Sequence, residues 1–197
     1  MKLFIKFYLF LMIFNCVIFA ENKPANAETK SYNKSFNFLE NVVVKGNVLA
    51  RKPFGVYYEH IPENVKIPEN SVILAIPDKQ NPLATDSAII IGSHTITLFP
   101  AASLRLTKEG IVPLTGRINL NTQEENSPPL FIDTRKCHGE YYYGNLFIEM
   151  DPEDNIFIAM QNTGKAWFKD TSLTLFELND SYELLFPLYG LATSKRK

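Results

Sequence analysis

Cysteine is nearly absent from this chain: of 197 residues only Cys16 and Cys137 carry a thiol. Cys16 lies in an apolar run near the start, so Cys137 alone remains if that run is removed, and an internal disulfide framework is excluded. Histidine is as scarce, limited to His60, His94 and His138. No spacing of these with a cysteine supplies four zinc ligands, and no metal or cofactor is expected. Adjacent strand residues point to opposite faces, so Cys137 and His138, although close to Asp133 in sequence, do not read as a thiol–imidazole pair. Cys137 is expected to be free or paired with another chain. Excess charge is also lacking, with 20 basic against 21 acidic residues. Residues 1–27 hold Lys2, Lys6, Lys23 and Glu21, which leaves 17 basic and 20 acidic residues beyond them, a net −3. Nucleic-acid binding would need a basic excess on one face, so it is not expected. There is no Gly-x-Ser-x-Gly, and the carboxylates are scattered through turns rather than paired. No catalytic, cofactor-binding or metal residue is assigned, and the chain reads as a non-enzyme.

The N-terminus shows what is present. Lys2 and Lys6 flank the start of an apolar run from Phe7 to Ala20, followed by a polar stretch that ends in Ala25-Asn26-Ala27. This is the pattern of a secretory signal peptide over residues 1–27, with cleavage after Ala27 and a mature chain from near Glu28. An uncleaved anchor would need about 20 apolar residues, and Asn15 interrupts a shorter run. Lipidation of Cys16 is disfavoured because Asn15 precedes it and Val17 to Ala20 continue the apolar core. A periplasmic or secreted location with no stable membrane span follows as the expectation.

Residues 28–40 are polar with scattered aromatics and read as a flexible lead-in. From Asn41 onward short β-branched and aromatic runs alternate with Gly, Pro, Asn and Asp, which predicts one all-β domain over 41–190 and a solvated basic tail over 191–197. Strands are expected at 41–49, 54–60, 71–76, 86–91, 94–99, 103–107, 116–120, 130–134, 141–150, 156–161, 164–169, 172–178 and 182–186. Gly92-Ser93 suits a type II′ hairpin, and Asn162-Thr163-Gly164 reads as a second turn. His94, Ile96 and Leu98 share one strand face. Leu146, Ile148 and Met150 share another, with Ile156, Ile158 and Met160 expected opposite them. The polar stretch Thr122 to Pro129 divides the strands into two groups within one domain, or else links two small domains. The acidic knot Asp151 to Asn155 fails as a calcium loop, because an EF-hand beginning at Asp151 would have Ile156 at its sixth position and Asn162 at its twelfth. It reads as a hairpin turn.

Two stretches together resemble the FecR-like domain. "TDSAIIIGSHTITLFPAASLRL" carries Thr85, Ser87-Ala88, Gly92-Ser93, Ile96, Leu98, Pro100, Ser103, Leu104 and Leu106 in the family's places, and Gly116 follows where the family has its next glycine. "YYYGNLFIEMDPEDNIFIAMQNTGKAWF" is similar to the later part, with Asn145 in place of the family's threonine and Phe147 at its phenylalanine. The resemblance covers about residues 71–186. It implies a bacterial extracytoplasmic domain of short strands in a solenoid-like or roll-like stack, a β-sandwich or jelly roll being the alternative. Signalling members add a sigma-binding segment and a transmembrane helix. A leader occupies that place here, so only the stand-alone exported domain is carried over.

The functional expectation is a non-enzymatic binding or scaffold module of the cell envelope, with envelope sensing as one role, whose partner is an envelope protein or glycan. Recognition could use an exposed strand edge. Two rival readings are distinguishable by structure. A carbohydrate- or peptidoglycan-binding module needs a coplanar aromatic platform around Tyr141 to Tyr143 or Trp167. An envelope enzyme needs a cleft in which two titratable groups converge.

Overall fold

Residues 38–39, 42–62, 65–82, 87–153, 156–187 and 192–196 are described by a computed structural model of the chain. The leader, most of the lead-in, Thr85 and Asp154-Asn155 lie outside the described residues. Every regular element among those described is a strand: β1 (Phe38–Leu39), β2 (Val42–Lys45), β3 (Val48–Arg51), β4 (Glu59–His60), β5 (Ile67–Pro68), β6 (Val72–Ala75), β7 (Ser87–Ile91), β8 (His94–Leu98), β9 (Ser103–Leu106), β10 (Gly110–Thr122), β11 (Leu130–Asp133), β12 (Cys137–Asp151), β13 (Ile156–Asp170), β14 (Leu175–Leu178), β15 (Tyr182–Phe186) and β16 (Thr193–Arg196). The all-β class is as the sequence predicts. The described residues belong to one compact unit, Phe36–Lys197.

β1 pairs only with β5; the other fourteen strands form one mixed, unclosed hydrogen-bonded network. Three long strands organise it by changing partners partway along. Residues 110–115 of β10 run beside β9 and β11, whereas 116–122 run beside β8 and β12. β12 leaves β11 for β10 at Gly144, and β13 pairs with β15 before Gly164 and with β14 after it. Gly116, Gly144 and Gly164 have positive φ of 78°, 97° and 93°. At each of them the buried parity switches from odd to even: Ile111 then Ile118 and Leu120 in β10, Tyr141 then Leu146 and Ile148 in β12, Phe157 and Ala159 then Ala166 and Phe168 in β13. A bulge beside each glycine adds the residue that flips the pattern and bends the strand.

The bent strands carry one side chain set into a single core. Rings meet across the corner: Phe157 lies 5.6 Å from Phe168 and 5.8 Å from Phe186, and Phe176 lies 6.0 Å from Phe186. The polar stretch after β10 returns the chain so that β11 runs parallel to β10, with Gly110 opposite Phe131. Buried His94 fastens this return. Its Nε2 donates to the Pro128 carbonyl at 2.8 Å, so in the neutral ring Nδ1 accepts from the Thr122 hydroxyl at 2.6 Å. Burial lowers the His94 pKa, and the Pro128 hydrogen bond opposes that shift.

Several boundaries differ from those read in the sequence. The expected strand 41–49 is broken into β2 and β3 at Gly46, which has a φ of 79°. Of 54–60 only Glu59–His60 is strand. β10 and β12 begin earlier than expected because Gly110 and Cys137 to Glu140 pair in the ladders. Asn162-Thr163-Gly164 is not a turn but the bend inside β13. The knot after Asp151 is a hairpin connection, yet its register pairs Met150 with Phe157, Ile148 with Ala159 and Leu146 with Gln161. Phe157, Ala159 and Gln161 therefore face the core, and Ile156, Ile158 and Met160 take the other face, the consequence of a one-residue difference in register. The basic end enters the ladder as β16 against β15. Gly92, with a φ of 58°, makes the predicted II′ hairpin, since Ser93 keeps negative φ.

Candidate recognition surfaces

Two surfaces present side chains that the core does not use. The first is the connection from β3 to β4. Lys52 to Gly55 form a tight turn closed by the Gly55 N–H to Lys52 carbonyl hydrogen bond, and Phe54 stands in it at a φ of 62°. Phe54, Val56 and Tyr57 are 83%, 78% and 81% exposed. The residues that flank them contact one another. The Arg51 guanidinium sits 5.3 Å from the Tyr58 ring centre, and Lys52 bridges to Glu59 at 3.1 Å. Beside them β4 pairs with β3 alone among the described residues, leaving its other edge open. Three exposed large apolar side chains within four residues, beside a strand edge that no described strand covers, form a candidate docking element.

The second surface is the outward face of β11 to β14, where strict alternation aligns two rows across four strands. Phe131, Glu140, Trp167 and Glu177 lie opposite one another in succession, as do Asp133, His138, Lys169 and Leu175. His138 Nδ1 lies 2.5 Å from Asp133 Oδ1, and its ring stacks on Phe131 at 5.5 Å and 28°. Trp167 meets His138 edge-on at 6.4 Å and 65°. The Trp167 indole N–H donates to the Tyr142 hydroxyl at 3.0 Å, which donates to Glu140 at 2.7 Å. That bond to Glu140 raises the Tyr142 pKa, because losing the phenolic proton would set two anions together; the indole N–H opposes it.

Tyr141 to Tyr143 do not form the platform that a glycan-binding module would need, because Tyr141 belongs to the core. Tyr141 is fully buried, its hydroxyl bonded to the Gly144 carbonyl at 2.6 Å and its ring 5.9 Å from His94. Tyr142 and Trp167 do share a surface, but its rings are not coplanar. Cys137 and His138 face opposite ways as alternation requires: Cys137 is buried against the Thr134 hydroxyl at 3.3 Å. Burial pushes its thiol up to about 12, with the Thr134 bond opposing, so a thiolate nucleophile does not form there. His60 is exposed at the end of β4, the edge strand beside the first surface. Sequence reading missed the contacts that join Asp133, His138 and Trp167 across the two rows, because the three come from three strands whose register only the fold fixes.

No protein-family model matches the chain, and no curated protein matches it. Two crystal structures of a Parabacteroides distasonis protein, provisionally described as an anti-sigma factor, are similar to it with a TM-score of 0.46 each. Sequence identities are 16% and 15%, over 53% of this chain and 51% of the other. The chain thus spans about half the length of the solved structures it matches.

Proposed function

We propose that this protein is a non-enzymatic recognition module of the bacterial cell envelope, exported behind residues 1–27, that binds an envelope protein through the β3–β4 connection. The observation that carries the reading is the exposure of Phe54, Val56 and Tyr57 on a braced turn beside the open edge of β4. Burying three such side chains supplies apolar contact, and the edge supplies backbone donors and acceptors for an added strand. The envelope setting is supported by the leader pattern and by the FecR-like motifs between residues 71 and 186; sensing is the role that such a module would serve.

A glycan ligand is the second reading, favoured by the half-exposed Trp167 with Glu140 opposite it and the His138 ring against it. It ranks second because the neighbouring rings are tilted and the indole N–H and Tyr142 hydroxyl already bond within the protein. Peptidoglycan pull-down and glycan arrays with Trp167→Ala separate the two: saturable binding lost in that variant selects the glycan. Export is tested by N-terminal sequencing of the cell-associated protein, which should begin near Glu28; an intact Met1 rejects it.

A further inference from the structure

A cleft of about 710 Å³ opens where β10 turns away from β11 and the two halves of the network diverge. Its volume lies within the range of small-molecule sites. Its walls are apolar, formed by Val112 and Leu114 of β10 and Met150 at the end of β12, and it reaches down to buried Pro113 and Phe157. Its mouth is cationic. Arg105 projects from β9, and Arg135 and Lys136 from the β11–β12 turn. Neither guanidinium makes an ion pair with any described residue. Lys136 donates from Nζ to the Pro187 carbonyl, which orients its ammonium without neutralising it. The carboxylate among the described lining residues is Asp133, and His138 already engages it. Glu153 is exposed on the adjoining turn and does not line the cleft.

Each part of this arrangement narrows the ligand. Unpaired guanidiniums favour a carboxylate or phosphate, which they hold through paired, charge-assisted hydrogen bonds. Apolar walls add nothing to the binding of a bare anion, and a neutral lipid would leave the cations unused. We propose that the cleft binds a single-chain anionic amphiphile, its head held by Arg105 and Arg135 and its chain laid along Val112, Leu114 and Met150. This site is separate from the β3–β4 surface and does not depend on the function proposed for it.

Titration calorimetry on the full chain tests the assignment with dodecanoate and dodecyl phosphate, each below its micelle concentration, beside dodecanol, acetate and inorganic phosphate. One bound amphiphile per chain is expected, with dodecanol, acetate and phosphate binding at least about tenfold more weakly, and Arg105→Gln with Arg135→Gln weakening the amphiphile about tenfold. Binding by only one of the two amphiphiles would identify the head group. Dodecanol binding as tightly as the anions, a bare anion binding as tightly as the amphiphiles, or an unchanged affinity in the double variant would overturn it. Both arginines are exposed, and an unchanged melting temperature in the double variant shows that any lost binding is not lost folding.

Discussion

Gly144 and Gly164 lie directly opposite one another in β12 and β13, both at positive φ, where the two strands bend together. A Cβ on Gly144 would come within 1.9 Å of the Thr163 carbonyl oxygen, and one on Gly164 within 2.1 Å of the Tyr143 oxygen. The corner therefore requires glycine twice over, for conformation and for space.

Alanine at either position should destabilise the fold by more than about 3 kcal/mol, because strain at positive φ adds to an overlap with backbone that cannot move aside. Gly92→Ala provides the contrast. It also has positive φ, but its Cβ would meet nothing within 4 Å, so backbone strain of about 1–3 kcal/mol is the whole cost. Urea unfolding of the three variants should rank them in that order, and equal costs would show that the corner does not depend on close approach.

Folding stability should fall on acidification through His94. Burial sets its folded pKa below the ordinary histidine value of 6.5, so the unfolded chain binds the proton first. The contribution of neutral His94 is complete above about pH 6.5, and it declines as pH falls toward the folded pKa with a slope of at most about 1.4 kcal/mol per unit. His94→Gln should flatten this segment of the stability–pH curve relative to wild type. An unchanged slope would mean that the clasp to Thr122 and Pro128 does not govern it.

Cys137 should resist modification. With its thiol pushed up to about 12 and its sulfur buried, an aromatic disulfide reagent at pH 8 should label the native protein far more slowly than the protein in denaturant. Rapid labelling of the native state would contradict the buried position.

Much of the architecture was legible because alternation is local. The II′ hairpin at Gly92-Ser93, the inward set His94, Ile96 and Leu98, and the hairpin at the acidic knot all follow from period two and turn chemistry. The bends at Gly116, Gly144 and Gly164 were not, since a glycine that flips strand parity looks in sequence like a glycine that ends a strand. For that reason β13 read as two strands, and its inward face was assigned to Ile156, Ile158 and Met160 instead of Phe157, Ala159 and Gln161. The recognition surfaces failed to show for a related reason. Val56-Tyr57-Tyr58 has the composition of a strand, and only the turn at Phe54 lifts it off the sheet. Asp133, His138 and Trp167, which meet across two neighbouring rows, lie up to 34 positions apart in the chain and are brought together by registers that no single segment encodes.

In the proposed function a partner protein docks on the β3–β4 connection. Photo-crosslinking in the native envelope, with the reactive side chain introduced at Tyr57 and in parallel at Trp167, tests it most directly. One discrete protein adduct is expected from position 57, abolished when Phe54 and Val56 are changed to serine, and none from position 167. An adduct from position 167 alone, or none at position 57 in a protein that is folded and exported, would contradict it.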